Sequence, residues 1–227
     1  MKSEKALPEL TVVIPCLDEA DNVRRYEAEL LPHLPPGAEV VLVDDGSAEP
    51  LSAPAGMRVV RHERNRGVGA ALRTGFAEAK GDWLVTLDAD LTFSPSLIPA
   101  LLRKRDEEDA DMVAGSPWLG GLPGVPLRRR LPSALLNAFY RGFLSASLTS
   151  YTSIFRLYRA AALKTFDLRA DGFEINAEIA ARFVRARLKT AEIAAPLTVR
   201  RHGTSRLETW RELRNHAALV GRLVWSR

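Results

Sequence analysis

Three apolar stretches in the first half of the chain each end in acidic residues, and this pattern constrains the fold more than any other. Residues 10–16, 40–43 and 82–87 are short and apolar and contain many β-branched side chains, which is typical of strands buried on both faces. Helix-like stretches separate them. This alternation predicts an α/β fold with a doubly wound, mostly parallel sheet, right-handed crossovers and helices on both faces.

The same patterns extend along the whole chain. We predict strands at residues 10–16, 40–43, 57–61, 82–87, 111–114 and 190–194. We predict helices at residues 18–30, 65–80, 95–107, 131–148, 173–187 and 208–225. No internal repeat or linker divides the sequence, so we expect a single domain over residues 1–227.

Composition limits the class of protein. A chain of 227 residues with 46% hydrophobic residues can bury a full core. The single Cys16 excludes a disulfide framework and fits a reducing compartment. The charged start predicts no secretory signal, and no stretch reaches the roughly 20 apolar residues of a membrane span. We therefore expect a cytoplasmic protein.

Acidic pairs follow three of the predicted strands: Asp18 and Glu19, Asp44 and Asp45, and Asp88 and Asp90. Parallel strands end at one edge of a sheet, where open α/β folds bind ligands, so we expect the pairs to lie together. Carboxylates one residue apart repel each other unless a cation intervenes, and oxygen ligands suit Mg²⁺ or Mn²⁺. Taken alone, residues 88–90 also fit a solvated loop, and residues 44–47 fit an Asx turn.

The charge of the chain is uneven. Its net charge is +4, yet residues 185–227 hold ten Lys or Arg against three Glu. Such a basic segment suits phosphate ligands or an anionic lipid surface. No aromatic platform is interleaved with it, which disfavours nucleic-acid binding.

Several segments, in order, resemble the family 2 glycosyltransferases of the GT-A fold. Val-Val-Ile-Pro-Cys-Leu-Asp-Glu-Ala-Asp-Asn at 12–22, Val-Asp-Asp-Gly-Ser at 43–47 and Asn-Arg-Gly-Val-Gly-Ala-Ala-Leu-Arg-Thr-Gly at 65–75 are similar to the family's nucleotide-binding motifs. Leu-Asp-Ala-Asp-Leu-Thr-Phe-Ser-Pro at 87–95 resembles the metal motif of the polyprenyl-phosphate branch, which includes the dolichol-phosphate mannosyltransferases. Thr-Ser-Ile-Phe-Arg at 152–156 and Arg-Arg-His-Gly-Thr-Ser-Arg at 200–206 resemble that branch's later motifs.

The resemblance implies a role for each matching residue. The nucleotide sugar would contact Pro15, Leu17, Glu19, Asp44, Asp45, Asp88, Ala89 and Asp90. The metal ion would be held by Asp88, Asp90 and Thr92. Phosphate of the acceptor would face Arg156, Arg200, Arg201, Ser205 and Arg206, with Asp90, Arg156 and Arg200 as the catalytic residues. Residues 10–115 would then form the nucleotide-sugar half, residues 116–207 the acceptor half, and residues 208–227 a basic amphipathic helix.

The function that this implies is inverting transfer of a sugar from GDP-mannose or a UDP-sugar to a polyprenyl or dolichyl phosphate. The enzyme would lie peripherally on the inner face of the membrane, where a membrane-spanning subunit is a possible partner. Two further functions stay open: transfer to a hydroxyl acceptor, with Glu174 or Glu178 as general base, and nucleotide-sugar binding by a non-catalytic subunit. Both glutamates also fit a structural role, and the helix at 131–148 fits either a lipid interface or the core.

Overall fold

A seven-stranded sheet forms the centre of the protein. The computed structural model describes residues 9–198 and 209–225. The strands are β1 (Leu10–Cys16), β2 (Glu39–Asp44), β3 (Met57–Arg61), β4 (Trp83–Thr86), β5 (Met112–Ser116), β6 (Arg156–Arg159) and β7 (Thr190–Ala194). They lie in the order β3-β2-β1-β4-β6-β5-β7.

Nine helices connect or cover the strands in the described part of the chain. They are α1 (Ala20–Val23), α2 (Tyr26–Glu29), α3 (Val68–Glu78), α4 (Ile98–Glu108), α5 (Pro117–Gly120), α6 (Leu127–Phe143), α7 (Ala160–Leu163), α8 (Ile175–Arg185) and α9 (Thr209–Trp225). Helix α3 contacts β1 and β2, and α4 contacts β5 and β7. None of the described helices is long and apolar enough to cross a bilayer.

The mostly parallel α/β sheet is confirmed, with one strand that the sequence did not reveal. All neighbouring strands pair in parallel except β6, which runs antiparallel to both β4 and β5. The sequence Arg-Leu-Tyr-Arg of β6 lacks the apolar run that marks the other central strands. The predicted helix at 18–30 is also wrong in detail, because two separate four-residue helices, α1 and α2, occupy this stretch and a 3₁₀ turn (Leu31–His33) follows them.

The sheet brings the ends of β1, β2 and β4 side by side. Cys16 at the end of β1 pairs with Asp44 of β2, and Val13 pairs with Thr86 at the end of β4. The side chains of β1, β2 and β4 are almost all buried, which fixes the register of the three strands. The loops that follow these strands therefore begin at one edge of a rigid support.

Candidate functional site

A tight turn after β4 holds the two acids of the Asp-Ala-Asp segment. The amide of Leu91 donates to the Asp88 carbonyl (3.1 Å), and the amide of Thr92 donates to Asp90 Oδ1 (3.1 Å). The Thr92 hydroxyl lies 3.4 Å from Asp88 Oδ2. Leu91 has a φ of 54°, a left-handed conformation that is uncommon for a branched residue. The turn thus places both carboxylates and one hydroxyl at the carboxyl edge of the sheet.

Tyr26 holds this turn in place through a hydrogen bond to its backbone. Its side chain is fully buried, and its hydroxyl donates to the Ala89 carbonyl at 2.7 Å. Burial raises the pKa of Tyr26, and nearby acidic groups, Asp88 and Asp90 among them, add to the shift. The hydroxyl therefore stays protonated as a donor. No sequence pattern indicates this role, because Tyr26 fits the apolar spacing of a helix equally well.

The donor set of the turn fits a hydrated Mg²⁺ or Mn²⁺ ion. In the described residues no three His, Cys, Asp or Glu side chains come together as a complete metal cage. Mg²⁺ keeps several waters and is commonly held by one or two carboxylates together with substrate phosphates. Asp88 and Asp90, with the Thr92 hydroxyl beside them, supply that kind of partial set.

Asp44 lies at the end of β2 and is bonded within the protein. Its carboxylate accepts the amides of Ser47 (2.9 Å) and Leu51 (3.1 Å) and a guanidinium N–H of Arg61. Burial by itself would raise the pKa of Asp44, but these hydrogen bonds lower it below its ordinary value. The carboxylate bonds the amide three residues on and not the amide two residues on that defines the predicted Asx turn, so that turn is not observed, although Asp44 does shape the loop.

Asp45 organises the neighbouring loop before α3. Its carboxylate accepts the amides of Arg66 (2.9 Å) and Gly67 (2.8 Å) and lies 2.7 Å from His62 Nδ1. Gly67 has a φ of 92°, and a Cβ there would approach the Asp171 carbonyl oxygen to 2.3 Å. Only glycine fits this close contact between the loop before α3 and the loop before α8.

The loop after β1 is tied to the loop after β2. The Asp18 amide donates to Ser47 Oγ (2.9 Å), and Asp18 Oδ1 accepts the Ala48 amide (2.9 Å). Glu19 is the N-cap residue of α1, and its Oε2 accepts the Asn22 side-chain amide at 2.6 Å. Pro15, Leu17 and Glu19 are half-buried beside this junction. The structure thus brings the first two predicted acidic pairs to the same edge as the third.

Arg156 does not have the placement that the resemblance implied. Its side chain is fully buried at the start of β6, and its guanidinium donates to the carbonyls of Asn176 and Ser150 (3.0 Å to the latter). Nε has no hydrogen-bond partner among the described residues. A buried guanidinium between two carbonyls joins the 150–155 loop to α8, so the predicted direct contact with acceptor phosphate is corrected to a structural role.

The two candidate bases are also used within the fold. Glu178 Oε2 accepts the amides of Arg169 (3.0 Å) and Ala170 (2.9 Å). Glu174 accepts the Gly172 amide and the Asn215 side-chain amide, both at 3.3 Å. Glu178 is 1% exposed and Glu174 is 5% exposed, and both carboxylates hold a loop in place. Of the two roles that the sequence left open for Glu174 and Glu178, general base or structural residue, the structure shows the structural one.

Thr198 connects the metal turn to the basic segment. Its amide and hydroxyl both donate to the Thr92 carbonyl, at 3.0 and 2.9 Å. The predicted phosphate ligands Arg200, Arg201, Ser205 and Arg206 lie outside the described residues. The chain therefore enters that segment from beside Thr92, a contact that no sequence pattern indicated.

Comparison with known proteins gives the wider context of this site. The profile described as "Glycosyl transferase family 2" matches residues 11–166. The chain is 33% identical over 224 residues to an undecaprenyl-phosphate 4-deoxy-4-formamido-L-arabinose transferase of Pseudomonas aeruginosa, covering 90% of this chain and 62% of that protein. It is 27% identical over 212 residues to a dodecaprenyl-phosphate galacturonate synthase of Rhizobium johnstonii, covering 87% and 61%. The chain thus spans about three-fifths of the length of these relatives.

A solved structure shares the fold. Glucosyl-3-phosphoglycerate synthase from Mycobacterium tuberculosis, in complex with Mn²⁺, UDP and phosphoglyceric acid, superposes with a TM-score of 0.71 at 23% identity. The match covers 94% of this chain and 77% of that one. This structural likeness establishes the GT-A fold. The family profile, over residues 11–166, spans both the acidic turn and most of the sheet. The chain belongs to glycosyl transferase family 2.

Proposed function

We propose that the protein is an inverting glycosyltransferase that moves a sugar from a nucleoside diphosphate sugar to a polyprenyl phosphate. The observation that carries this proposal is the Asp88–Asp90 turn, held by Tyr26 at the carboxyl ends of parallel strands. Ligands of open α/β sheets bind at that edge. The names of the relatives, which specify dodecaprenyl and undecaprenyl phosphate, support the acceptor class.

The donor nucleotide would lie across the loops after β1 and β2. Pro15 and Leu17 offer apolar contact for the base, and Glu19 offers a carboxylate for ribose hydroxyls. Asp44 and Asp45 act mainly by holding the loop that borders the base, since their oxygens already accept backbone amides. Base and ribose would therefore meet a surface that is formed before binding.

The diphosphate would lie at the turn after β4. Asp88 and Asp90, with Thr92 close by, would hold Mg²⁺ or Mn²⁺, which would supply positive charge to stabilise the leaving diphosphate. Asp90 keeps its orientation because its Oδ1 accepts the Thr92 amide. Tyr26, by holding the Ala89 carbonyl, keeps the turn from relaxing when charge builds up on the diphosphate.

In the transfer step an oxygen of the lipid phosphate attacks the anomeric carbon from the face opposite the diphosphate. The new C–O bond forms as the bond to the diphosphate breaks, and the nucleoside diphosphate leaves with the electron pair. The attacking oxygen is already anionic, so no general base is needed. This agrees with the commitment of Glu174 and Glu178 to backbone amides and Asn215.

The acceptor phosphate would be positioned by the segment that follows Thr198. Arg200, Arg201, Ser205 and Arg206 are our proposed ligands, because guanidinium forks and hydroxyls suit phosphate oxygens. Since the acceptor is a lipid, the reaction would take place at the cytoplasmic face of a membrane. A membrane-spanning partner subunit could present that lipid.

The test is transfer of radiolabelled sugar from GDP-mannose or UDP-sugars into organic-extractable polyprenyl phosphate with Mn²⁺ present. We expect incorporation that EDTA abolishes. Arg200→Ala should depress the rate far more than it depresses the binding of nucleotide, measured as a thermal shift. Efficient transfer to a water-soluble hydroxyl acceptor, with none to polyprenyl phosphate, would contradict the proposal. Nucleotide-sugar binding without transfer to any acceptor would favour a non-catalytic subunit.

A further inference from the structure

The loop that precedes β6 lies at the carboxyl edge of the sheet, beside the acidic turn at residues 88–92. Arg156 at the start of β6 pairs with Thr86 at the end of β4, and the two strands are antiparallel. Extended by three residues, the same register assigns Ser153 a position opposite Ala89 of the turn. Residues 149–155 are called the serine loop below.

Contacts with the β4 segment hold one end of the serine loop at this edge. The Thr86 hydroxyl donates to the Ile154 carbonyl, and the rings of Phe93 and Phe155 stack with their centroids 5.5 Å apart. Because Thr86 precedes the acidic turn and Phe93 follows it, the serine loop is fixed against the chain on both sides of the turn.

Hydrogen bonds to two side chains hold the other end of the serine loop. The amides of residues 149 and 150 donate to the Glu192 carboxylate at 2.7 and 3.0 Å. The Tyr151 amide donates to Asn137 Oδ1 at 2.6 Å. Glu192 belongs to β7, which β6 and β5 separate from β4. The serine loop therefore runs from the acidic turn toward the far edge of the sheet, with its backbone held at both ends.

Two serine hydroxyls in this loop are buried without a hydrogen bond. Ser150 and Ser153 are 1% and 6% exposed, and neither Oγ has a hydrogen-bond partner among the described residues. An unbonded buried hydroxyl destabilises a fold, so native structures seldom keep one without a functional reason. A serine hydroxyl can donate one hydrogen bond and accept two. The serine loop therefore has unused capacity to hydrogen-bond a ligand.

Two other hydroxyls beside the acidic turn have no such spare donor. Tyr26 donates to the Ala89 carbonyl at 2.7 Å, and Thr198 donates to the Thr92 carbonyl at 2.9 Å. Both hydroxyls shape the backbone around the turn. The Ser153 hydroxyl, in contrast, keeps its donor and both acceptor positions available among the described residues.

We propose that Ser153 hydrogen-bonds a hydroxyl group of the donor sugar and helps to select that sugar. The inference rests on the proposed function, in which Asp88 and Asp90 hold the metal ion and the diphosphate. The sugar is bonded directly to that diphosphate, so it lies next to the same turn, where Ser153 offers its unused hydrogen bonds. A site that bonds a substrate hydroxyl discriminates strongly against an analogue that lacks it.

The experiment compares the two serines as alanine variants. Calorimetric titrations with Mn²⁺ present measure the affinity for GDP-mannose, UDP-glucose and UDP-galactose, and for GDP and UDP alone. We expect Ser153→Ala to weaken the binding of the preferred nucleotide sugar about fivefold and to leave the affinity for its nucleoside diphosphate unchanged. Ser150→Ala is the matched control, because it removes an equally buried, unbonded hydroxyl on the side of β7. Neither affinity should change in that variant.

Thermal unfolding without ligand separates a lost contact from a damaged fold. Removal of a buried hydroxyl that has no partner relieves a cost of folding, so Ser153→Ala should unfold at the wild-type temperature or above it. Weaker binding of the nucleotide sugar with undiminished stability is the result expected for a residue that contacts the sugar. A lower Tm would mean that the hydroxyl is bonded within the protein, which would overturn the inference.

Three binding results would also overturn it: wild-type affinity of Ser153→Ala for every nucleotide sugar, equal losses in both serine variants, or an equal loss for the nucleotide sugar and its nucleoside diphosphate. The proposed function fails in a different way. If the nucleotide sugar binds through Ser153 but no sugar reaches any polyprenyl phosphate, the inference stands and the proposed transfer is wrong. Transfer to polyprenyl phosphate with a nucleotide-sugar affinity that does not depend on Ser153 would refute the inference alone.

Discussion

Two regions of the molecule differ in how completely their polar groups are hydrogen-bonded within the protein. At the donor edge, the carboxylates of Asp44, Asp45 and Asp90 each accept backbone amides at 2.8–3.1 Å. In the described residues from 116 onward, polar atoms are buried without hydrogen-bond partners, among them Ser150 Oγ and Ser153 Oγ. There α6 also exposes large apolar side chains. The acids at the donor edge are thus bonded within the protein, although Arg58 Nε in β3 also lacks a partner among the described residues, whereas the described residues from 116 onward leave more polar atoms and more apolar surface without partners.

This difference indicates which residues are already ordered before a ligand binds. A turn whose acids are already oriented loses little entropy when a metal and a diphosphate arrive, which favours stabilisation of developing charge. The exposed leucines and phenylalanines of α6, in contrast, present apolar surface to solvent.

The largest effect is expected from Asp90→Asn. The amide keeps the size of the side chain but removes a metal-binding charge, so transfer should fall roughly 10²–10³-fold, as when a main electrostatic contact to a transition state is lost. Thermal unfolding should change little, because Asp90 is only half-buried. The control is Asp21→Asn, whose side chain is 79% exposed. Transfer by Asp90→Asn at the wild-type rate in EDTA would remove the metal from the site.

Arg156→Ala should act on stability rather than on the donor site. The change leaves the carbonyls of Asn176 and Ser150 without their buried donor and creates a cavity, which should lower the free energy of unfolding by about 3 kcal/mol. Urea denaturation measures this, and Arg103→Ala on the exposed face of α4 is the control. A variant of wild-type stability that no longer uses the lipid acceptor would restore Arg156 to the phosphate site.

Arg156 also shows what the sequence can and cannot predict. Strands β1 and β7 have the bounds that the sequence predicts. A short run of apolar or β-branched residues between turn residues indicates a strand without any information from distant parts of the chain. The gathering of acidic pairs follows from parallel topology. Burial of a charged side chain is not a local property, so the sequence misplaces Arg156 and misses strand β6 for the same reason. Contacts such as Tyr26 to Ala89, 63 residues apart, have no sequence signal at all.

Tyr26→Phe should have a smaller effect. It compares a buried hydroxyl that makes a hydrogen bond with one that makes none among the described residues. Removal of the hydroxyl leaves the Ala89 carbonyl without its donor, which should cost about 1 kcal/mol of stability and weaken nucleotide binding several-fold. Tyr158 provides the control, because its hydroxyl is buried without a hydrogen-bond partner among the described residues. Calorimetric titration with nucleoside diphosphate and Mn²⁺ should therefore separate the two variants. Equal affinity in Tyr26→Phe and Tyr158→Phe would show that the turn does not depend on this contact.

The smallest effect concerns the attachment of α9 to α6. His216 is 6% exposed, and its Nδ1 lies 2.8 Å from the Tyr140 hydroxyl of α6. Burial lowers the pKa of His216 below 6.5, although the charge of Glu174 acts in the opposite direction. The unfolded chain therefore takes up this proton first as the pH falls, so stability present above about pH 6.5 should be lost progressively as the pH falls through the folded-state pKa.

Urea unfolding of the wild type and of His216→Gln at a series of pH values measures this loss. Burial, together with the charge of Glu174, raises the pKa of Glu212 on the same helix. That shift stabilises the fold on acidification, but Glu212 titrates in both proteins, so their difference isolates the histidine. The difference should shrink as the pH falls from about 7.5 to about 5.5. A constant difference between wild type and His216→Gln across this range would mean that α9 stays attached independently of the charge on His216.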